Sequence, residues 1–304
     1  MRPPNLRQRG VALVFVLWLL ALLTLLLGSF ALITRTESLQ ARHLYDTTRA
    51  RYAAEAGINQ AAWALALPDP AQRWLPDGRE YRIQFDDAEI VVRITDESGL
   101  IDLNASEALT LTNLFVSAGV DLARATSLAE AIVDWRDGDE LRLPNGAEDR
   151  DYAAEGFDYG AKDAPFDLVS ELEQVLGMDS ELFRRIEPAL TVYSGQAVPN
   201  LAFAPPLVMR ALYPQDPATA DLIVETRRAW SPIAGQAPPL LPDGTPLVAE
   251  GGTGTYSIES RATLPNGAWT ELRATLRLGG SGISGRAFSV LRWQDGSALR
   301  DTGS

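Results

Sequence analysis

The chain has 304 residues, 46% hydrophobic and 8% aromatic, enough for one or two packed domains and too apolar for a globally disordered polymer. A formal charge of −13, with Lys162 the only lysine, gives a surface that phosphates repel, which excludes nucleic acid as a partner. The absence of cysteine excludes disulfides, thiolate catalysis and Cys-ligated zinc, and the single histidine, His43, excludes a multi-histidine metal site.

Arg2, Arg7 and Arg9 precede an uncharged run from Val11 to Ile33. As a helix this run spans roughly 35 Å, longer than a bilayer core of about 30 Å. Positive charge before the run keeps the N-terminus cytoplasmic and sends everything after Ile33 outside. Ser29-Phe30-Ala31 imitates a signal-peptidase site, so a cleaved export signal with a mature start at Leu32 is the second reading of the same run. No proline follows until Pro68, and Leu39, Leu44, Tyr45, Tyr52, Ala53, Ala56, Ala61 and Trp63 recur at a helical period. One helix is therefore expected from Val11 to Leu67, with Gly28 and Gly57 as candidate bends and Pro68-Asp69-Pro70 as its stop. Its outer half, around Leu39 to Trp63, is a candidate surface for partner helices.

Tyr81, Ile83 and Phe85 alternate with polar residues, and Ile90 to Ile94 follow an acidic turn, which predicts a hairpin. Short helices are predicted at 105–117, 121–136, 167–176, 180–187, 205–213 and 217–229, separated by Gly119, Gly177, Pro188 and Pro214. Alternation returns in TYSIESRATLPNGAWTELRATLRL, where Asn266-Gly267 favours the positive φ angles of a tight hairpin. A last strand is expected at Phe288–Trp293. Strands that flank a block of foreign character are most simply paired with each other, so a helical domain inserted into one α+β domain is expected.

The loop from Asp134 through Asp137, Asp139 and Glu140 to Glu148, Asp149 and Asp151 is the one candidate for metal chemistry. Calcium takes six to eight oxygens, which closely spaced loop carboxylates and carbonyls can provide. The spacing is not that of an EF-hand, and the residues alone favour a solvated acidic loop over a calcium site. The tryptophans are scattered, which fits core and rim packing rather than a sugar platform.

Arg9-Gly10 before an uncharged helix resembles a type IV prepilin leader. That resemblance implies cleavage by prepilin peptidase after Gly10 and N-methylation of Val11. The fifth residue after the glycine is Phe15, where most pilins carry glutamate, and a subunit with none above it has no use for that buried acid. Further along, Asp96 to Asn104, Ala131 to Asp139, Gly146-Ala147-Glu148 with Tyr152, Ser170-Glu171-Leu172 leading to Met178, and Pro199-Asn200 to Leu212 resemble type II secretion system protein K in order, from Gly10 to about Trp293. Leu201-Ala202-Phe203-Ala204-Pro205 departs from the family's pattern after Asn200.

The resemblance implies a fold and a role. The fold is α+β: a pilin-like N-terminal helix on an antiparallel sheet, with an inserted all-helical domain. The domains would be a leader at 1–10, a transmembrane part at 11–34, a pilin-like domain at 35–104 and 231–304, and the insertion at 105–230. The role is that of a non-enzymatic minor pseudopilin at the tip of the periplasmic pseudopilus, working with minor pseudopilins of types I, J and H and the major pseudopilin, and anchored in the bacterial inner membrane. The family also implies a structural calcium ion, for which Asp134, Asp137, Asp139 and Glu148 are the candidate ligands. Two other readings stand beside it: a minor pilin of a type IV pilus, which lacks such an insertion, and a membrane-anchored periplasmic metal-dependent hydrolase, for which no acid is paired with a nucleophile at a recognisable spacing.

Overall fold

The computed structural model describes residues 11–69, 72–231, 235–247, 252–279 and 287–295. Gly10 and the rest of the leader segment lie outside the described residues. Helix α1 runs from Val11 to Leu65, and its first part, Ala12–Phe30, is long and apolar enough to cross a membrane, with none of that stretch buried in the protein. The helix continues through Gly28 and Gly57. Gly57 answers a packing need rather than a bend, because a Cβ there would stand 2.3 Å from Ser260 Oγ and 2.9 Å from an Ile90 methyl carbon. Chain approach of that kind is open only to glycine.

The outer part of α1 packs on a five-stranded antiparallel sheet of β1 (Asp77–Phe85), β2 (Ala88–Asp96), β5 (Thr255–Thr263), β6 (Trp269–Leu278) and β7 (Phe288–Asp295), in the order β1-β2-β5-β6-β7. Alternation in each strand explains which face is covered: Ile90, Val92 and Ile94 meet Ile258, Ala262, Leu272, Ala274 and Leu276 beneath Ala50, Ala54, Ile58 and Ala61 of α1. Alanines on that helical face let the helix lie close to the sheet. The turn 265–268 between β5 and β6 has the expected Asn-Gly geometry, with Gly267 at φ 84°.

Residues 97–254 leave the sheet between two strands that pair with each other, β2 and β5, from Glu89↔Thr263 to Asp96↔Tyr256. The excursion carries α2 (Ala108–Ser117), α3 (Leu122–Arg136), α4 (Asp149–Ala154), α5 (Ser180–Ile186), α6 (Pro206–Leu212) and α7 (Pro217–Ala229), around a second core that includes Leu111, Phe115, Ile132, Trp135, Tyr152 and Leu172. A two-stranded parallel pair, β3 (Ile101–Asp102) with β4 (Leu190–Thr191), closes its base. Of the predicted helices, 167–176 is instead a 3-10 turn at Val169–Gln174, while α4 and the β3–β4 pair arise where no regular element was expected.

Two polar clusters hold the insertion to the sheet. Asp77 on β1 accepts two hydrogen bonds from Arg79 (2.9 and 2.8 Å), whose guanidinium also donates to the carbonyls of Arg227 and Trp230 at the end of α7. Buried Arg227 donates to the carbonyls of Leu201 and Ala204, both at 2.8 Å. In the second cluster buried Glu97 accepts from the hydroxyls of Thr191 in β4 and Ser257 in β5. Charged groups this far from water persist only when such bonds satisfy them.

Candidate metal centre

Helix α3 delivers the first acid. Its apolar face points Ile132 and Trp135 into the helical core, and the same turn buries Asp134 completely. Asp137 caps the end of α3, from which the chain loops back over it. Asn145 ties that loop to α3 by donating its backbone N–H (2.6 Å) and side-chain amide to Glu130, and Leu143 N–H donates to both oxygens of Asp134 at 3.2 Å. Gly146 is required at the return: a Cβ there would fall 2.0 Å from Asp134 Oδ2. The loop then enters α4 through Glu148, whose N–H donates to Asp151 Oδ2 at 3.0 Å.

Glu148 is only 4% exposed, and neither of its carboxylate oxygens has a hydrogen-bond partner. Asp137 Oδ1 is likewise buried and unpartnered. Burial, followed by the charges of Asp134, Asp137, Asp163 and Glu140, pushes the Glu148 carboxyl up to about 7. Asp134 rises to about 6, chiefly through burial, and Asp137 is raised for the same reason with Asp139 and Asp163 adding to it. Aromatic rings pack together beside the acids: Trp135 stands 5.8 Å from Tyr152, 6.2 Å from Phe166 and 6.4 Å from Tyr159.

Three of the four acids expected from the sequence, Asp134, Asp137 and Glu148, thus act on one another electrostatically across this loop. Exposed Asp139 spends Oδ1 on Leu141 N–H at 2.8 Å and reaches the group only through its effect on Asp137. Asp163 is the addition that sequence reasoning missed. It sits at φ 52°, a conformation Asp tolerates better than most side chains, and its charge acts on both Asp137 and Glu148. Among the described residues no three of these side chains already surround one point as a complete ligand set. The donor set still fits a hard cation, because buried Glu148 with both oxygens unpartnered, beside half-buried Asp137 with one, is negative charge that a protein interior otherwise rejects.

A pilin-like protein with a long, apolar N-terminal helix and a helical insertion bearing a buried acidic loop is the class that fold and site define. Residues 91–195 match the family model described as Type II secretion system (T2SS), protein K. The type II secretion system protein K of Klebsiella pneumoniae is 30% identical over 259 residues, spanning 76% of this chain and 79% of that one. The protein K of Pectobacterium carotovorum subsp. carotovorum is 32% identical over 209 residues, with coverage of 60% and 62%. A chain from the crystal structure of the GspK-GspI-GspJ complex of the enterotoxigenic Escherichia coli type 2 secretion system shares the fold, with a TM-score of 0.56 and 20% identity over 87% of this chain and 99% of that one. This chain belongs to the type II secretion system protein K family and has the family's minor pseudopilin role in type II secretion.

Proposed function

We propose that this protein sits at the tip of a periplasmic pseudopilus, anchored by α1 in the bacterial inner membrane until assembly, and that it starts and caps the filament without catalysis. The observation that carries the reading is the insertion of residues 97–254 between the paired strands β2 and β5. A pilin-like head widened by a second packed core is hindered from stacking between identical neighbours along a shaft, whereas the end of a filament tolerates width. The partners are minor pseudopilins of types I and J, a choice supported by the composition of the fold neighbour's complex, together with type H and the major pseudopilin.

Prepilin peptidase would remove residues 1–10 by cutting after Gly10 and methylate Val11, a reading supported by Arg9-Gly10 standing directly before the uncharged run that opens at Val11. Calcium would be held by Asp134, Asp137 and Glu148, with Asp139 and Asp163 at the rim. Its charge would compensate the buried carboxylates and so fix the loop between α3 and α4.

The test is the intact mass of the full-length protein taken from membranes after co-expression with prepilin peptidase. A mature chain beginning at methylated Val11 is expected. A start at Met1 or at Leu32 would remove the leader-dependent assembly route.

A further inference from the structure

We propose that β7 is a docking edge for an extended strand of a partner protein, one whose side chains alternate between apolar and acidic. The sheet order leaves β1 and β7 as its two margins, and each margin presents one row of backbone N–H and C=O groups unpaired by the sheet. Margin β1 is defended by a register break between Asp77 and Glu80 and by Glu80, Arg82 and Gln84 along its length. Margin β7 places Phe288, Val290, Leu291 and Trp293 within eight residues.

The two faces of β7 say what an added strand must carry. Val290 pairs with Leu276 and Trp293 with Ala274, so both side chains lie on the face that meets α1, where Arg51 of the helix reaches as far as Asp295 at 2.8 Å, yet they stay 50% and 39% exposed. Arg292 pairs with Thr275 and points to the opposite face, where both line a cleft of about 380 Å³ between the sheet and the helical insertion. The acid facing it there, Glu97, is already held by the Thr191 and Ser257 hydroxyls. Among the described residues Arg292 has no ion pair within 4 Å and no hydrogen bond. A strand laid along β7 would therefore gain most with a carboxylate opposite Arg292 and apolar side chains at the adjacent positions against Val290 and Trp293. Leu291, the extra residue where β7 shifts register against β6, breaks the flatness of the edge and favours one register over indiscriminate pairing.

The experiment follows hydrogen exchange of the 288–295 amides in the full-length protein in detergent micelles, with the end-capped decapeptide (Val-Asp)5 or (Val-Lys)5 added. The proposal expects (Val-Asp)5 to slow exchange of these amides at least tenfold and (Val-Lys)5 to leave them unchanged. Arg292→Glu should invert that preference and Val290→Lys should abolish both responses, with melting temperatures showing each variant folded. No slowing, or equal slowing by both peptides, would overturn it. So would slow exchange in the free protein that is relieved by truncation after Asp295 or by dilution, since the edge would then belong to this chain's own residues 296–304 or to a second copy.

Discussion

Glu148 concentrates the chemistry of the helical insertion in one side chain, because it is a carboxylate buried beside others with no hydrogen bond to either oxygen. Without a cation, folding must bury that charge or hold a proton on it, and each course costs free energy at neutral pH. With one, the same carboxylate becomes a binding group. Glu148→Gln removes the charge at nearly constant shape, so the metal-free variant should melt higher than metal-free wild type. The variant should at the same time lose the upward shift in melting temperature that millimolar calcium gives the wild-type protein and that a chelator reverses. A calcium response retained at full size in this variant, or absent from wild type, would remove calcium from the loop. Asp134, Asp137 and Glu148 were legible in the sequence because they crowd one short stretch. Asp163 was not, since only the fold brings the loop after α4 back to the end of α3.

Between elements, the joint that decides how the helical insertion sits on the sheet is the Glu97 cluster, where one carboxylate receives hydroxyls from β4 and β5. Burial raises the Glu97 carboxyl above the usual range; the two hydroxyl bonds oppose the shift, neighbouring Asp96 adds to it and Arg292 opposes it. A carboxyl raised in the folded state keeps a proton that the unfolded chain releases. Its penalty is therefore absent in acid and grows as pH climbs from the unfolded carboxylate range, near 4, through the folded value. Glu97→Gln should match wild type in stability near pH 4 and gain on it as pH rises, whereas Glu97→Ala should lose about 1–3 kcal/mol by leaving the buried hydroxyls without their acceptor. Urea unfolding at several pH values checks both, and a constant difference between Gln variant and wild type would show that Glu97 binds its proton equally in the folded and unfolded chains, without the upward shift. The strands of this joint were readable from alternation, and the pairing of β2 with β5 from the foreign block between them. The β3–β4 pair was not, because two residues carry no period, and the stretch Val169–Gln174 closed as a 3-10 turn although its composition suits an α-helix.

For the whole molecule, α1 does two jobs on one axis: Ala12–Phe30 is apolar on every side, and the part beyond it buries only the alanine-rich face that meets the sheet. Opposite that face Tyr45, Tyr52 and Trp63 recur at helical spacing along the back of the helix, with Tyr52 64% and Trp63 59% exposed. Single exposed apolar residues need no explanation, but three aromatics aligned on a helix that continues an apolar span form a seam suited to another helix, where aromatic anchors dominate binding. Neither Tyr52 nor Trp63 contributes to a core, so changing them leaves the fold intact while removing the seam. Tyr52→Glu and Trp63→Glu should melt within about 0.5 kcal/mol of wild type, as exposed positions do. Each should reduce co-purification of the type I and type J pseudopilins from detergent-solubilised membranes at least tenfold, because a charge facing an apolar helix must be desolvated without a partner. Equal recovery of both partners with wild type and variants would move the contact away from the back of α1 and leave the head to make it.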